Sequence, residues 1–131
     1  MEKLKRRLLE SEKALATLEE ILHAQYSKIV RDATVQRFEY TFEVTWKLVR
    51  EYLLQKEGIV CNSPKSCFRE AFSVGLLNED EATSCLQMTD ARNLTSHTYN
   101  EEISELIYKG TRHYWKLMKM LFDRIKERVS M

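Results

Sequence analysis

The chain has 131 residues, a formal net charge of +1, and 31% charged against 44% apolar side chains. That length suits one domain with a real core, and the composition excludes a disordered chain. The near-zero net charge means that any polyanion binding must come from a local patch, and no run approaches the roughly 20 apolar residues that cross a bilayer.

With only three Gly and one Pro there are few breaks, so long helices are expected. The first runs from about Glu2 to His23, with Leu4, Leu8, Leu15, Leu18 and Leu22 as an apolar stripe at helical spacing. A polar stretch from Ser27 to Arg31 separates it from a second helix, capped by Asp32 and reaching Glu57, with Gly58 as its stop. Its core face is Val35, Phe38, Phe42, Trp46, Val49 and Leu53. Glu39, Glu43, Lys47 and Arg50 line another face, which reads as solvated or partner-facing; Glu39 and Glu43, one turn apart, are either a cation-binding pair or ordinary surface carboxylates.

Ser63-Pro64 starts a short helix through Phe68 and Phe72 that stops at Gly75. Asn78 with Glu81 reads as a capping box opening a fourth helix through Leu86 and Met88. Thr98 with Glu101, or Asn100 alone, caps the last helix, which runs through Ile103, Leu106, Ile107, Tyr114, Leu117, Leu121 and Ile125. No strand-like alternation and no internal repeat appears. The predicted fold is all-α: an up-and-down four-helix bundle with one short extra helix.

Cysteines at 61, 67 and 85 form no CxxC pair, and their odd count without a signal-like N-terminal run predicts a reducing cytoplasm and buried or half-buried thiols. They make poor metal ligands, since no His lies near Cys61 or Cys67. His23 and His113 read as surface residues. On the last helix Lys109, Arg112, Lys116 and Lys119 form a basic stripe, suited to RNA or an acidic partner and equally to plain solvation. Tyr108, Trp115 and Phe122 recur every seven residues beside it; they suit a second apolar seam of the kind along which such bundles dimerise, and read as buried aromatics in preference to base-stacking groups.

The stretch Arg92-Asn93-Leu94-Thr95-Ser96-His97-Thr98-Tyr99 carries most of the chemistry. On a continuous helix, residues five apart diverge by about 140°. Arg92 and His97 can therefore act together only if the helix ends between them or a second subunit supplies one. Thr95-Ser96 and the capping signal at Thr98 predict such a break, placing the segment at an exposed helix junction. A guanidinium holds phosphate oxygens and an imidazole exchanges protons near neutral pH, so this set suits phosphodiester chemistry without a metal or other cofactor. The competing reading is structural: Arg92 pairs with a carboxylate such as Asp90 or Glu101, while His97 and Tyr99 pack at a subunit contact.

RNLTSHTY closely resembles the Arg-x4-His-x-Tyr signature of HEPN-superfamily proteins, specifically HepT-like subunits and nucleotidyltransferase substrate-binding proteins. Arg31-Asp32-Ala33-Thr34-Val35-Gln36-Arg37-Phe38-Glu39-Tyr40-Thr41-Phe42-Glu43, Trp46-Lys47, Ser63-Pro64, Arg69-Glu70-Ala71-Phe72 and Gly75-Leu76 are similar to that family in order and spacing. The resemblance spans nearly the whole chain. It implies a single domain over residues 1–131, a homodimer, and a cytoplasmic partner: a separately encoded minimal nucleotidyltransferase that carries out nucleotidyl transfer. In one branch this subunit presents the substrate in a two-component, toxin–antitoxin-like system. In the other it is a metal-independent ribonuclease toxin, with Arg92 and His97 catalytic on RNA, Asn93 supporting the site, and Tyr99 the residue that the partner modifies with AMP.

Overall fold

The computed structural model describes residues 2–130 and builds the chain from five α-helices: α1 (Glu2–Leu22), α2 (Lys28–Tyr52), α3 (Pro64–Ser73), α4 (Glu79–Asn93) and α5 (Glu101–Ser130). A π-helical turn, Leu53–Glu57, continues α2, and a 3-10 turn, Leu94–His97, continues α4. Side-chain links between helices give the directions. Thr41 on α2 meets the carbonyl of Ala14 and Arg37 meets that of Thr17, so α1 and α2 run antiparallel. Arg31 reaches Glu105 and Arg128 reaches Tyr52, so α2 and α5 run parallel. Arg124 of α5 meets Glu81 near the start of α4, so these two are antiparallel. α1, α2, α4 and α5 thus alternate up and down, with α3 as the short extra helix, as expected from the sequence.

α2 sits at the centre. All six residues of its predicted core face are buried. Phe38 stacks on Tyr114 of α5 at 5.3 Å between ring centroids, and Phe42 meets Phe68 of α3 edge-on at 6.1 Å. Each such buried side chain contributes about 1.5–3 kcal/mol relative to exposure. Gly110 on α5 leaves room for this arrangement: a Cβ there would stand 3.0 Å from the Tyr114 ring.

Helix ends follow the sequence at three places and depart from it at two. Ser63 caps α3 with Pro64 at its first position, Asn78 and Glu81 form a reciprocal capping box on α4, and Asn100 alone caps α5 through the amides of Glu102 and Ile103. α2, however, begins four residues before Asp32. Ser27 is its cap, accepting from the Val30 amide at 3.0 Å, and Ser27–Arg31 belongs to the helix start rather than to a linker. The polarity of that stretch hid this, because Arg31 is buried only by virtue of its partners. At the other end α2 does not stay α-helical to Glu57: its last turn widens, and Gly58 closes it in the left-handed conformation at φ 68°.

Two further expectations are corrected. Tyr108, Trp115 and Phe122 are held largely inside the fold, Phe122 buried and the other two half-buried, rather than forming a wholly open seam. Tyr108 packs edge-on against Tyr26, the Trp115 indole donates to the Leu15 carbonyl at 2.9 Å, and Phe122 is buried. Nor are all three cysteines thiols: Cys61 and Cys67 are joined as a disulfide at the entry to α3, across the bend at Ser63, so the cysteines no longer argue for a reducing compartment. Cys85 remains free and buried, and burial pushes its thiol up to about 12. Among the described residues no helix is long and apolar enough to cross a membrane.

Glu81 links two of these features, since it closes the α4 capping box and also takes Arg124 on both carboxylate oxygens at 2.7 and 2.8 Å. The guanidinium holds the Glu81 carboxyl below its ordinary range, helped by the Asn78 amide. A carboxyl depressed in the folded state stabilises the fold above the ordinary carboxylate pKa and loses that contribution as pH falls through the folded value. Glu81→Gln should therefore lower stability at neutral pH, by about 1 kcal/mol given the partial exposure of Arg124. The gap from wild type should close in acid. Urea unfolding followed by circular dichroism at neutral and acidic pH checks this, and a gap that persists in acid would refute it.

Candidate functional site around Arg92 and His97

The predicted helix break is present. After Asn93 the chain tightens into the 3-10 turn Leu94–His97, while Leu94 packs against the core and Thr95 is buried. The break separates the two candidate catalytic groups. Arg92, in the last turn of α4, points across to α2. Its Nε donates to Glu43 Oε1 at 3.1 Å, its Nη1 donates to Thr95 Oγ1 at 3.0 Å, and Nη1 lies 3.5 Å from Glu39 Oε2. The Thr95 hydroxyl has its proton within reach of Glu39 Oε2 at 2.5 Å and of the Arg92 carbonyl at 2.7 Å. Glu43 is held from the other side by the Trp46 indole N–H, 3.0 Å from Oε2.

Arg92 thus does pair with carboxylates, but neither Asp90 nor Glu101 is one of them. Asp90 is taken by Lys65 at 2.6 Å, and Glu101 by Lys28 at 3.2 Å. The cation that Glu39 and Glu43 bind is the Arg92 guanidinium, so they are not idle surface carboxylates. Sequence spacing showed that they share a helix face; it could not show that a residue some fifty positions away would close the set.

His97 stands apart from this network. Its Nδ1 lies 3.2 Å from the Tyr99 hydroxyl, with the two rings edge-on at 5.8 Å. Both side chains are exposed, Tyr99 to 83%. Among the described residues no hydrogen bond joins Arg92 to His97. Asn93 is exposed, and its carbonyl accepts from the Ser96 hydroxyl at 3.2 Å. Between the 3-10 turn and α2 lies a polar cleft of about 360 Å³ lined by Asp32, Gln36, Glu39, Thr95 and Thr98 along with Val35.

The far end of the segment is anchored by groups that sequence reasoning passed over. Ser104, fully buried, donates to the Thr98 carbonyl at 3.0 Å. Arg31, only 4% exposed, donates from Nε to Asp32 at 2.9 Å and from Nη1 to Glu105 at 3.2 Å, and its Nη2 lies 3.7 Å from Glu101. Tyr26 also donates to Glu105. That hydrogen bond, together with Arg31, holds the Glu105 carboxyl below its ordinary range, while the same contact raises the Tyr26 phenol. The hint in the sequence was Arg31-Asp32 one helical turn after Ser27.

The basic stripe is partly spent on structure. Arg112 donates to the Leu22 carbonyl at 2.7 Å, finishing α1, and Lys119 pairs with Asp123 at 2.6 Å. Lys109 and Lys116 are exposed, Lys109 on the rim of a largely apolar groove that includes Leu94, Leu106 and Tyr114.

Residues 6–127 match the family model described as nucleotidyltransferase substrate binding protein like. A crystal structure of a protein from Thermus thermophilus is similar over 88% of this chain and 98% of its own, at 46% identity and a TM-score of 0.85. A Haemophilus influenzae protein named probable ribonuclease HepT is 26% identical over 98 residues; the match covers 72% of this chain and 66%, just under two thirds, of that protein. The fold is also that of a tri-AMPylated HEPN toxin from Shewanella oneidensis, solved in complex with MNT antitoxin: TM-score 0.76, 12% identity, and coverage of 95% and 96%.

If the Thr95 hydroxyl is the joint between Arg92 and Glu39, Thr95→Val should lower stability by about 1 kcal/mol. It should also speed amide exchange from Leu94 to Tyr99 more than in α1. Hydrogen-exchange mass spectrometry reads this directly. Uniform acceleration along the chain would show that the hydroxyl matters only to global stability.

Proposed function

This chain belongs to the nucleotidyltransferase substrate binding protein like family, and we propose on that footing that it is the partner subunit of a two-component minimal nucleotidyltransferase system of toxin–antitoxin type. The match over residues 6–127 carries the reading. In it, residues 1–131 form a single domain that works as a homodimer in the cytoplasm, and a separately encoded nucleotidyltransferase performs the transfer. Tyr99 is the acceptor. Its 83% exposure and the adjacent His97 Nδ1 support this role. The phenol oxygen would attack the α-phosphorus of ATP, pyrophosphate would leave, and His97 would take the phenol proton. Lys109 and Lys116 would meet acidic groups of the partner or of RNA, with Arg112 and Lys119 behind them.

A second reading, favoured by the likeness to a protein named probable ribonuclease HepT, makes the chain a metal-independent ribonuclease. Arg92 would hold the scissile phosphate, Asn93 would support the site, and His97 would move the proton between the ribose 2′-hydroxyl and the leaving oxygen. The readings meet at Tyr99: an AMP there would set a phosphate beside His97 and block RNA.

Incubated with its partner nucleotidyltransferase, ATP and Mg²⁺, the wild-type protein should gain AMP by intact mass, and Tyr99→Phe should not. Labelling that survives in Tyr99→Phe would move the acceptor elsewhere. For the second reading, wild-type protein should cleave RNA in the presence of EDTA and His97→Ala should be inactive. Equal cleavage by the two proteins would remove the activity from this site.

A further inference from the structure

The Arg92 network has a property that neither reading uses. Two carboxylates face one guanidinium, so the unit carries excess negative charge where a phosphate would have to bind. Each carboxylate is also held by a second donor: Glu43 by the Trp46 indole and Glu39 by the Thr95 hydroxyl. Arg92 is therefore engaged on its Nε and Nη1 edges before any ligand arrives. The pairs are not sealed in. The side chains of Arg92, Glu39 and Glu43 are 25%, 41% and 34% exposed, so the ion pairs can exchange without unfolding the bundle.

We propose that Glu39 and Glu43 are a latch that withholds Arg92 from phosphate until a phosphodiester displaces them, an inference that rests on the reading of Arg92 as the phosphate-binding group. The Thr95 hydroxyl couples the parts, since it accepts from Arg92 while it can donate to Glu39. Letting go of one carboxylate thus loosens the other. Trp46 reports the state of the latch, because the ligand that frees Arg92 also leaves the Glu43 carboxylate to move against the indole N–H.

The alternative is that the carboxylates orient the guanidinium for its ligand, as carboxylates often do for a functional cation, and the two roles predict opposite signs. As probe we choose a fluorescent single-stranded 2′-O-methyl oligoribonucleotide, which has phosphodiesters but cannot be cleaved through a 2′-hydroxyl. Binding is measured by anisotropy with the full-length protein. Glu43→Gln and Glu39→Gln should each tighten binding about two- to fivefold, the range for a partly exposed ion pair. That gain should vanish when Arg92→Ala is added, and the neutral Arg92→Gln stands in should Arg92→Ala not fold. In wild-type protein the Trp46 indole NMR resonance should move as the probe is added.

Binding that is unchanged or weaker in the Gln variants would overturn the latch and make the carboxylates orienting groups. A gain that persists without Arg92 would also overturn it, reducing the effect to bulk charge. If Arg92→Ala binds the probe as wild type does, the phosphate-binding reading of Arg92 fails first and takes the latch with it. These outcomes are distinguishable from one another.

Discussion

The burial of the Arg31 guanidinium is the constraint from which the working end of the bundle follows. A charge that is almost wholly removed from water must be paired, and losing a partner would leave it uncompensated. The partners here are Asp32 on α2 and Glu101 and Glu105 on α5. Satisfying Arg31 therefore fixes the start of α5 against the start of α2, in parallel. Once α5 begins at Glu101, with Asn100 as its cap and Ser104 holding the Thr98 carbonyl, little freedom remains for the preceding turn. It must leave α4 at Asn93, bury Thr95, and deliver His97 and Tyr99 to the surface.

The break between Arg92 and His97 was legible because it is local: five residues, a helical pitch and a run of capping side chains suffice to predict it. The same is true of Ser63-Pro64 and of the Asn78–Glu81 box, and the apolar face of α2 was legible because periodicity encodes it directly. What escaped was everything that depends on pairing across the fold. Ser27–Arg31 read as a linker because two of the partners that let Arg31 be buried, Glu101 and Glu105, lie some seventy residues away. Glu39 and Glu43 read as solvated because the cation that closes the set, Arg92, lies some fifty residues away. Tyr108, Trp115 and Phe122 read as an open seam because a seven-residue spacing says that a face is apolar without saying that α1 and Tyr26 already cover it.

The site divides into two chemical halves with different exposure. The Arg92 half is half-buried, hydrogen-bonded on several sides and rich in carboxylate. The His97–Tyr99 half is open, with one polar contact between the pair. Proteins position charge well inside such networks and leave accessible those groups that meet another macromolecule. On that division Tyr99 is the group most exposed to an approaching protein, while Arg92 depends on its neighbours for whatever charge it shows.

The close approach of Gly110 to Tyr114 has a consequence for how relatives of this chain can diverge. A methyl group at position 110 would press on the Tyr114 ring at 3.0 Å, and that ring is stacked on Phe38 of the central helix. Any larger residue at 110 therefore needs a smaller one at 114, or a shift of the aromatic stack that reaches α2. The two positions should drift together over evolutionary time, and a lineage that loses the glycine should show a remodelled groove between α4 and α5.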